Sequence, residues 1–433
     1  MLAFLGFAMV ATFLALMMTK RLLPLVALTL VPLGYGILAA LLGHFPTAKL
    51  GPMMLDGLKT LAPTGVMLLF AILYFALMID RGLFDGVVAW ILRRVKGDPL
   101  KVALGTVALT LIVSLDGDGS TTYMICVAAL LPLYQRLGMN RLLMTCLMLL
   151  SSGVMNLTPW GGPTARAASA LHLEPSAIFV PMIPAMLFAI AAIFALAWHY
   201  GSRERERLGI LTLEVLGNAT ARPRLLWFNG LLTTGLMACL ILALLPMPVL
   251  FMTAFGIALT VNCRDLAAQK EQINAHAASV LSVVSLIFAA GIFTGILSGS
   301  GMVEAMSKSL LAIIPDALGP HLAVFTSLIS LPFTFFLSND AFYFGMLPVL
   351  SEAAGHYGIS PIEIARASLI GQPVHLLSPL VPSTYLLVGL ARVELGDHQR
   401  FTLRWAVLVS LALLLGALLV GVFPWQGTLV GGK

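Results

Sequence analysis

Charge is scarce in this sequence. Only 10% of its 433 residues are Asp, Glu, Lys or Arg, against about a quarter in an ordinary soluble domain. With 59% hydrophobic residues and a mean hydropathy of +0.99, that shortage excludes a water-soluble fold and leaves a polytopic helical membrane protein. Cysteine is scarce too. Cys126, Cys146, Cys239 and Cys263 lie singly in or beside apolar stretches, and no CxxC pair occurs, so neither disulfides nor a thiolate metal site is expected. The GDGST stretch at 117–121 lacks the lysine and spacing of a phosphate loop, which argues against nucleotide binding. No Ser, His and Asp set has the strand–turn–helix context of a hydrolase, so no enzyme is expected. The first apolar segment, 2–18, has neither a basic stretch before it nor a cleavage site after it, and reads as a retained span.

What is abundant is apolar sequence in windows of about 20 residues, the length that crosses a bilayer. Such windows fall at 2–19, 22–43, 61–80, 140–171 (interrupted), 176–199, 225–245, 248–263, 279–298, 361–391 (interrupted) and 402–423. Two further stretches, 100–135 and 319–351, carry a polar knot halfway, with arms of only about 14 residues in the first. They read as re-entrant hairpins. Segments 83–95 and 302–314 read as helices lying along the interface.

The two halves repeat. Gly82-Leu-Phe-Asp85 returns 219 residues later as Gly301-Met-Val-Glu304, and Pro163-Thr164 returns at the same offset as Pro382-Ser383. Each half crosses five times, so the second is inverted. The expected fold is therefore an all-α polytopic membrane protein of two inverted repeats of five spans each, with two re-entrant hairpins and two broken helices. Repeat 1 is 1–200 (hairpin 100–135, broken helix 140–171), a cytoplasmic linker follows at 201–222, and repeat 2 is 223–433 (hairpin 319–351, broken helix 361–391). With these spans nineteen of the 25 Lys and Arg residues fall on one side and five on the other, leaving Arg166 inside. The crowded side is cytoplasmic by the positive-inside rule, which places both termini outside. The net charge of +6 is this loop bias and calls for no nucleic acid.

A charge at membrane depth costs several kcal/mol and normally faces a cavity, an ion or a partner. At the first hairpin tip Gly117 and Gly119 allow tight backbone turns and close approach to a ligand, while Ser120 and Thr121 can hold an anion. Asp116 and Asp118 can hold a cation or a proton. The second tip, Ser338-Asn339-Asp340, offers oxygen ligands of the same kind or simply a helix cap. In the first broken helix, Asn156-Leu-Thr-Pro-Trp-Gly161-Gly162-Pro-Thr164 cannot stay helical, and the restarted helix brings Arg166 inward, toward an anionic substrate or toward Asp116, Asp118 or Asp340. The second break, from Gln372 to Thr384, contains Ser383 and His375, the latter either a proton carrier or a packed imidazole.

These four motifs, SLDGDGSTTY, NLTPWGGPT, LSNDAFYFGMLP and GQPVHLLSPLVPS, resemble the CitMHS family of bacterial citrate–metal–proton symporters, within the ion transporter superfamily. The resemblance implies uptake of citrate complexed with a divalent metal such as Mg²⁺ or Ca²⁺, driven by protons, across the bacterial inner membrane. It also implies a homodimer with an elevator-type moving domain. The metal would belong to the transported complex, and no other cofactor is expected. On this reading Gly117, Gly119, Ser120, Thr121, Asn156, Gly161, Gly162, Thr164, Arg166, Ser338, Asn339, Ser383 and Thr384 bind substrate, and Asp116, Asp118, Asp340 and His375 handle metal or protons. Chelation has a physical rationale, because a citrate–metal complex carries about −1 where free citrate carries about −3, and desolvation cost rises steeply with charge. The rival readings are a cation/proton antiporter or a sodium-coupled di- or tricarboxylate transporter of the same fold, and, from another class, a membrane-embedded enzyme acting on a lipid-linked substrate. Tips reading Asp-Gly-Asp-Gly-Ser and Ser-Asn-Asp, where the sodium-coupled dicarboxylate relatives carry Ser-Asn-Thr, favour a site for metal or protons over sodium.

Overall fold

A computed structural model describes the chain except residues 20, 96, 118, 211–224, 243, 313, 314, 316 and 429–433. Asp118 and most of the expected linker thus lie outside the described residues. Every regular element among the described residues is helical. The first half comprises α1 (Leu2–Met18), α2 (Pro24–Leu41), α3 (Leu50–Asp80), α4 (Asp85–Val95), α5 (Pro99–Val113), α6 (Gly119–Leu137), α7 (Arg141–Met155), α8 (Gly162–Leu171), α9 (Pro175–Phe179) and α10 (Ile183–Leu208). The second comprises α11 (Leu226–Ile241), α12 (Met247–Asn262), α13 (Leu266–Gly299), α14 (Met302–Leu311), α15 (Leu322–Phe336), α16 (Leu347–Gly355), α17 (Pro361–Ser368), α18 (Gln372–His375), α19 (Pro382–Ala391) and α20 (Leu395–Val420).

Local chemistry sets the helix ends. Prolines open α2, α5, α17 and α19, where the missing N–H removes a donor that would be unpaired anyway. Asp98 and Asn140 cap α5 and α7 by accepting from Leu100 N (3.1 Å) and Leu142 N (2.9 Å). Ser360 and Glu363 form a capping box on α17. Among described non-glycine residues only His172 and Arg392 have positive φ, 56° and 54°, each ending the helix after a break and lying 220 positions apart.

Seven helical stretches among the described residues are long and apolar enough to cross a membrane, and the surface exposes large side chains such as Phe4, Leu30, Leu187, Trp198 and Leu231. That much exposed apolar surface suits lipid contact and not water. The protein is a multi-pass membrane protein.

Several sequence boundaries need correction. Helices α3 and α13 begin at Leu50 and Leu266, well before the expected 61 and 279, because each stretch continues its helix alongside the other, with Gly57 against Gly291 and with Gln272 and His276 bonded to Asp80. The RERER run is not linker, because α10 continues through it to Leu208. Its side chains are used. Arg205 forms a two-pronged ion pair with buried Asp98 (2.8 and 2.5 Å), and Arg207 donates to Glu204 and to Gly138 O, so the run clamps both feet of the first hairpin. The first arms of both hairpins extend to 18 residues (Pro99–Asp116 and Gly319–Phe336), longer than the expected 14, so arm length alone does not make them re-entrant. The second arm of the second hairpin starts as a π-helical turn, Ala341–Met346, a rare geometry common at functional sites.

The packed interior divides in two. One cluster joins α1–α3 with α11–α13, and the other joins the hairpins, α7, α10, α17, α18 and α20. Each draws on both halves of the sequence. Trp160, Ala165 and Ala170, from the first break and α8, and Ala341, Phe344 and Val349, from the second hairpin, pack into the first cluster.

Candidate functional site

The wall of the site is built by α3 and α13. They cross at Gly57, Gly291 and Gly295, where the backbones touch so closely that a Cβ on Gly57 would collide with the carbonyl of Gly291. Beyond that crossing, Leu68 to Asp80 of α3 and His276 to Ile287 of α13 line a cavity of about 770 Å³, within the size range of small-molecule sites. The α3 wall alone extends about 18 Å at 1.5 Å per residue, over half the hydrocarbon thickness. The facing wall is the first hairpin tip and the start of α8: Asp116, Gly117, Ser120, Thr121, Trp160, Gly162 and Arg166.

The tip is held by its neighbours. Gly117 takes φ 77°, a left-handed turn, and an added Cβ would lie 2.9 Å from the Trp160 ring, so only glycine fits here. Trp160 donates its indole N–H to Leu115 O at 2.9 Å and packs against Phe75 of α3 and Phe251 of α12. Asp116 is 8% exposed and accepts from the Thr122 hydroxyl at 3.3 Å. The helices α6 and α8 both begin at the cavity, and helix starts attract anions through their unpaired N–H groups.

The halves exchange partners at the centre. Arg166 of α8 donates Nε to Asp340 Oδ1 of the second tip at 2.5 Å and Nη1 to Gly162 O at 3.1 Å. Of the three acids that the sequence allowed for Arg166, Asp340 forms an ion pair with it. Ser383, at the start of α19, lies against the first tip, where a Cβ on Gly119 would sit 3.2 Å from its hydroxyl. Arg166 thus pairs with the second tip and shares the cavity wall with the first.

The remaining candidates stand beside the cavity and brace it. Asn156 caps the end of α7, and Gly161 precedes α8 with its N–H given to Thr158 O at 2.8 Å. Thr164 gives its hydroxyl proton to Leu157 O at 2.8 Å, and Thr384 does the same to Leu376 O, so each closes its own break. Ser338 caps Ala341 N at 3.2 Å, and Asn339 accepts from Gln372 Nε2 at 3.3 Å. Gln372, fully buried, also donates to the Tyr343 hydroxyl at 2.9 Å. His375 is buried with Nδ1 2.5 Å from Thr334 O, which matches the packed-imidazole alternative. Sequence reasoning missed Asp80 and His276. Both lie in what it took for loops or span ends, and only the α3–α13 crossing makes them cavity residues.

The electrostatics near the tips are mixed. Two helix starts and Arg166 favour negative charge, whereas Asp116 and Asp340 oppose it. Such a setting offers groups for both an anion and a cation.

A family model described as "Citrate transporter" (CitMHS) matches residues 4–371. A citrate transporter of Bacillus subtilis (strain 168) is 57% identical over 431 residues, covering 98% of this chain and all of the relative. The Mg(2+)/citrate complex secondary transporter of the same organism is 49% identical, covering 97% of this chain and 99% of the relative. Among solved structures, the Alcanivorax borkumensis YdaH transporter superposes with TM-score 0.56 at 17% identity, covering 86% of this chain and 88% of that one. The Neisseria gonorrhoeae MtrF pump superposes with TM-score 0.57 at 14% identity, covering 85% and 83%. At those identities the likeness is one of fold alone.

Proposed function

The chain belongs to the citrate transporter (CitMHS) family, a family of transporters and not enzymes, and we propose that it imports citrate as a complex with a divalent metal, coupled to protons. The observation that carries this reading is Arg166, which lines the cavity beside the first tip and pairs with Asp340 of the second. An organic anion needs the arginine and the two helix starts. The acids can take a cation, which the metal or a proton supplies. Among the described residues no three His, Cys, Asp or Glu side chains group as a metal site, so citrate itself would supply most of the metal's ligands. The Mg²⁺/citrate relative supports the same substrate.

The finer architecture is part of the proposal. The paired helix ends at His172 and Arg392, the paired Thr164 and Thr384 bonds, and the positive-φ glycines Gly82 with Gly301 and Gly138 with Gly358 recur at offsets of 219 or 220, supporting two inverted repeats of 1–200 and 223–433. The hairpins are re-entrant. The α1–α3/α11–α13 cluster would serve as the fixed scaffold of a homodimer, with the second cluster moving as an elevator past the Trp160 contact. Both termini lie outside the inner membrane, and the cavity then opens to the cytoplasm.

The test is uptake of radiolabelled citrate into proteoliposomes with each divalent metal in turn and an imposed pH gradient. Uptake that requires a metal and rises with an inward proton gradient is expected. Uptake indifferent to both, or exchange of Na⁺ for H⁺ without citrate, would remove this reading.

A further inference from the structure

The cavity carries a second polar group at its open end. Asp80 Oδ2, on the last residue of α3, lies 2.7 Å from His276 Nε2 and 2.5 Å from Gln272 Nε2, both on α13. The Asp80 and His276 side chains are 42% and 24% exposed, so this end is wet. Between it and the tips the wall is mostly apolar, through Ala76, Ile79, Met124, Ile125 and Val283, relieved on α13 only by Ser279 and Ser282. Among the described lining residues the titratable groups form two sets: Asp116 with Arg166 near the tip, and Asp80 with His276 at the mouth.

Chemistry assigns the imidazole's roles. A carboxylate oxygen accepts, so Nε2 carries the hydrogen toward Asp80 and Nδ1 of the neutral ring keeps its lone pair. Nδ1 can take a proton arriving through cavity water while Nε2–H stays on Asp80, and Nδ1 then returns the proton to bulk water. The proton count balances, with no bond made or broken besides N–H and O–H. The other charged groups around this pair are engaged elsewhere: Arg81 points to Cys263 Sγ at 3.2 Å, and Arg166 is paired with Asp340. Lys270 and Glu271 lie on α13 itself, more than a turn nearer its start.

We propose that His276, held by Asp80 and Gln272, is the port through which coupled protons leave the cavity at its open end. This rests on the proton-coupled reading above. Glutamine at 276 can keep a donor on Asp80 but cannot titrate, so His276→Gln separates a proton port from a structural tie. The full-length protein in proteoliposomes is assayed in two modes: metal–citrate counterflow at equal pH, which moves no net protons, and net uptake driven by a pH gradient at lumenal pH of about 6 to 8. In H276Q, counterflow should stay within about twofold of wild type, while net uptake falls about tenfold or more and loses its dependence on lumenal pH. D80N, which removes the imidazolium's partner, should show the same split. Net uptake in H276Q that keeps wild-type rate and pH dependence overturns the proposal, as does equal loss of both modes, which would make His276 structural or substrate-binding. Failure of the functional reading looks different, because wild type itself would then show no metal–citrate counterflow.

Discussion

Removing one partner of the Arg166–Asp340 pair tests the centre of the site. The two side chains are 19% and 11% exposed and 2.5 Å apart, on α8 and the second tip, 174 residues distant in sequence. Breaking a buried pair by losing one partner costs about 3–5 kcal/mol, because the survivor stays charged and unpaired. Arg166 also borders a wet cavity, so the lower end, about 3 kcal/mol, applies to Asp340→Asn and to Arg166→Gln alike. At 1.4 kcal/mol per decade this is more than a hundredfold in the folded-to-unfolded ratio. In the double variant no charge is stranded. Its cost should not exceed about 3 kcal/mol, against about 6 for the sum, a coupling of about 3 kcal/mol. Denaturant titration of the four proteins in detergent, followed by helical circular dichroism, measures this directly. Losses that add to within about 0.5 kcal/mol would refute the reasoning, since they would mean the two groups do not depend on each other.

Other outcomes follow from the same geometry. Gly57→Ala should push α3 and α13 apart and sharply lower the yield of folded protein, whereas Gly51→Ala, which meets open space, should be neutral; size-exclusion profiles compare them. Trp160→Phe keeps the ring contacts but leaves Leu115 O without its indole donor, and should cost about 1–3 kcal/mol of stability and weaken citrate binding, read by thermal shift with and without metal–citrate. Burial alone would raise the Asp98 carboxyl, but Arg205, the Leu100 N–H and Lys101 outweigh it and hold it below the usual range. Its stabilisation is therefore complete above the unfolded carboxyl's pKa of about 4 and fades as pH falls through the lower folded value. Asp98→Asn should accordingly flatten the acid limb of a stability-against-pH curve; an unchanged limb would mean the clamp carries no charge linkage.

The apolar helices, the two knots, the two breaks and the short helices α4 and α14 were legible in the sequence because each is local. A run of apolar residues or a Pro-Gly-Gly-Pro cluster means the same thing whatever it packs against. The exceptions were charged or mixed segments. RERER reads as a solvated linker until Asp98, Gly138 and Glu204 are seen to take up its guanidinium groups. The segments ahead of spans 61–80 and 279–298 read as loops until the other long helix lies beside them.

Residue pairing was a different matter. Composition offered three acids for Arg166, and the packing of α8 against the second hairpin brings Asp340 to it. The partner of His375, Thr334 O, lies on the first arm of the second hairpin, 41 positions away, and nothing local names it. Asp80 and His276 are 196 residues apart, and nothing in either neighbourhood marks them as partners. Their meeting depends on the angle at which α3 and α13 cross, and that angle is set by three glycines that let two backbones touch. One-dimensional hydrophobicity therefore decided which segments enter the membrane, while helix crossing geometry decided which of their polar side chains share a cavity.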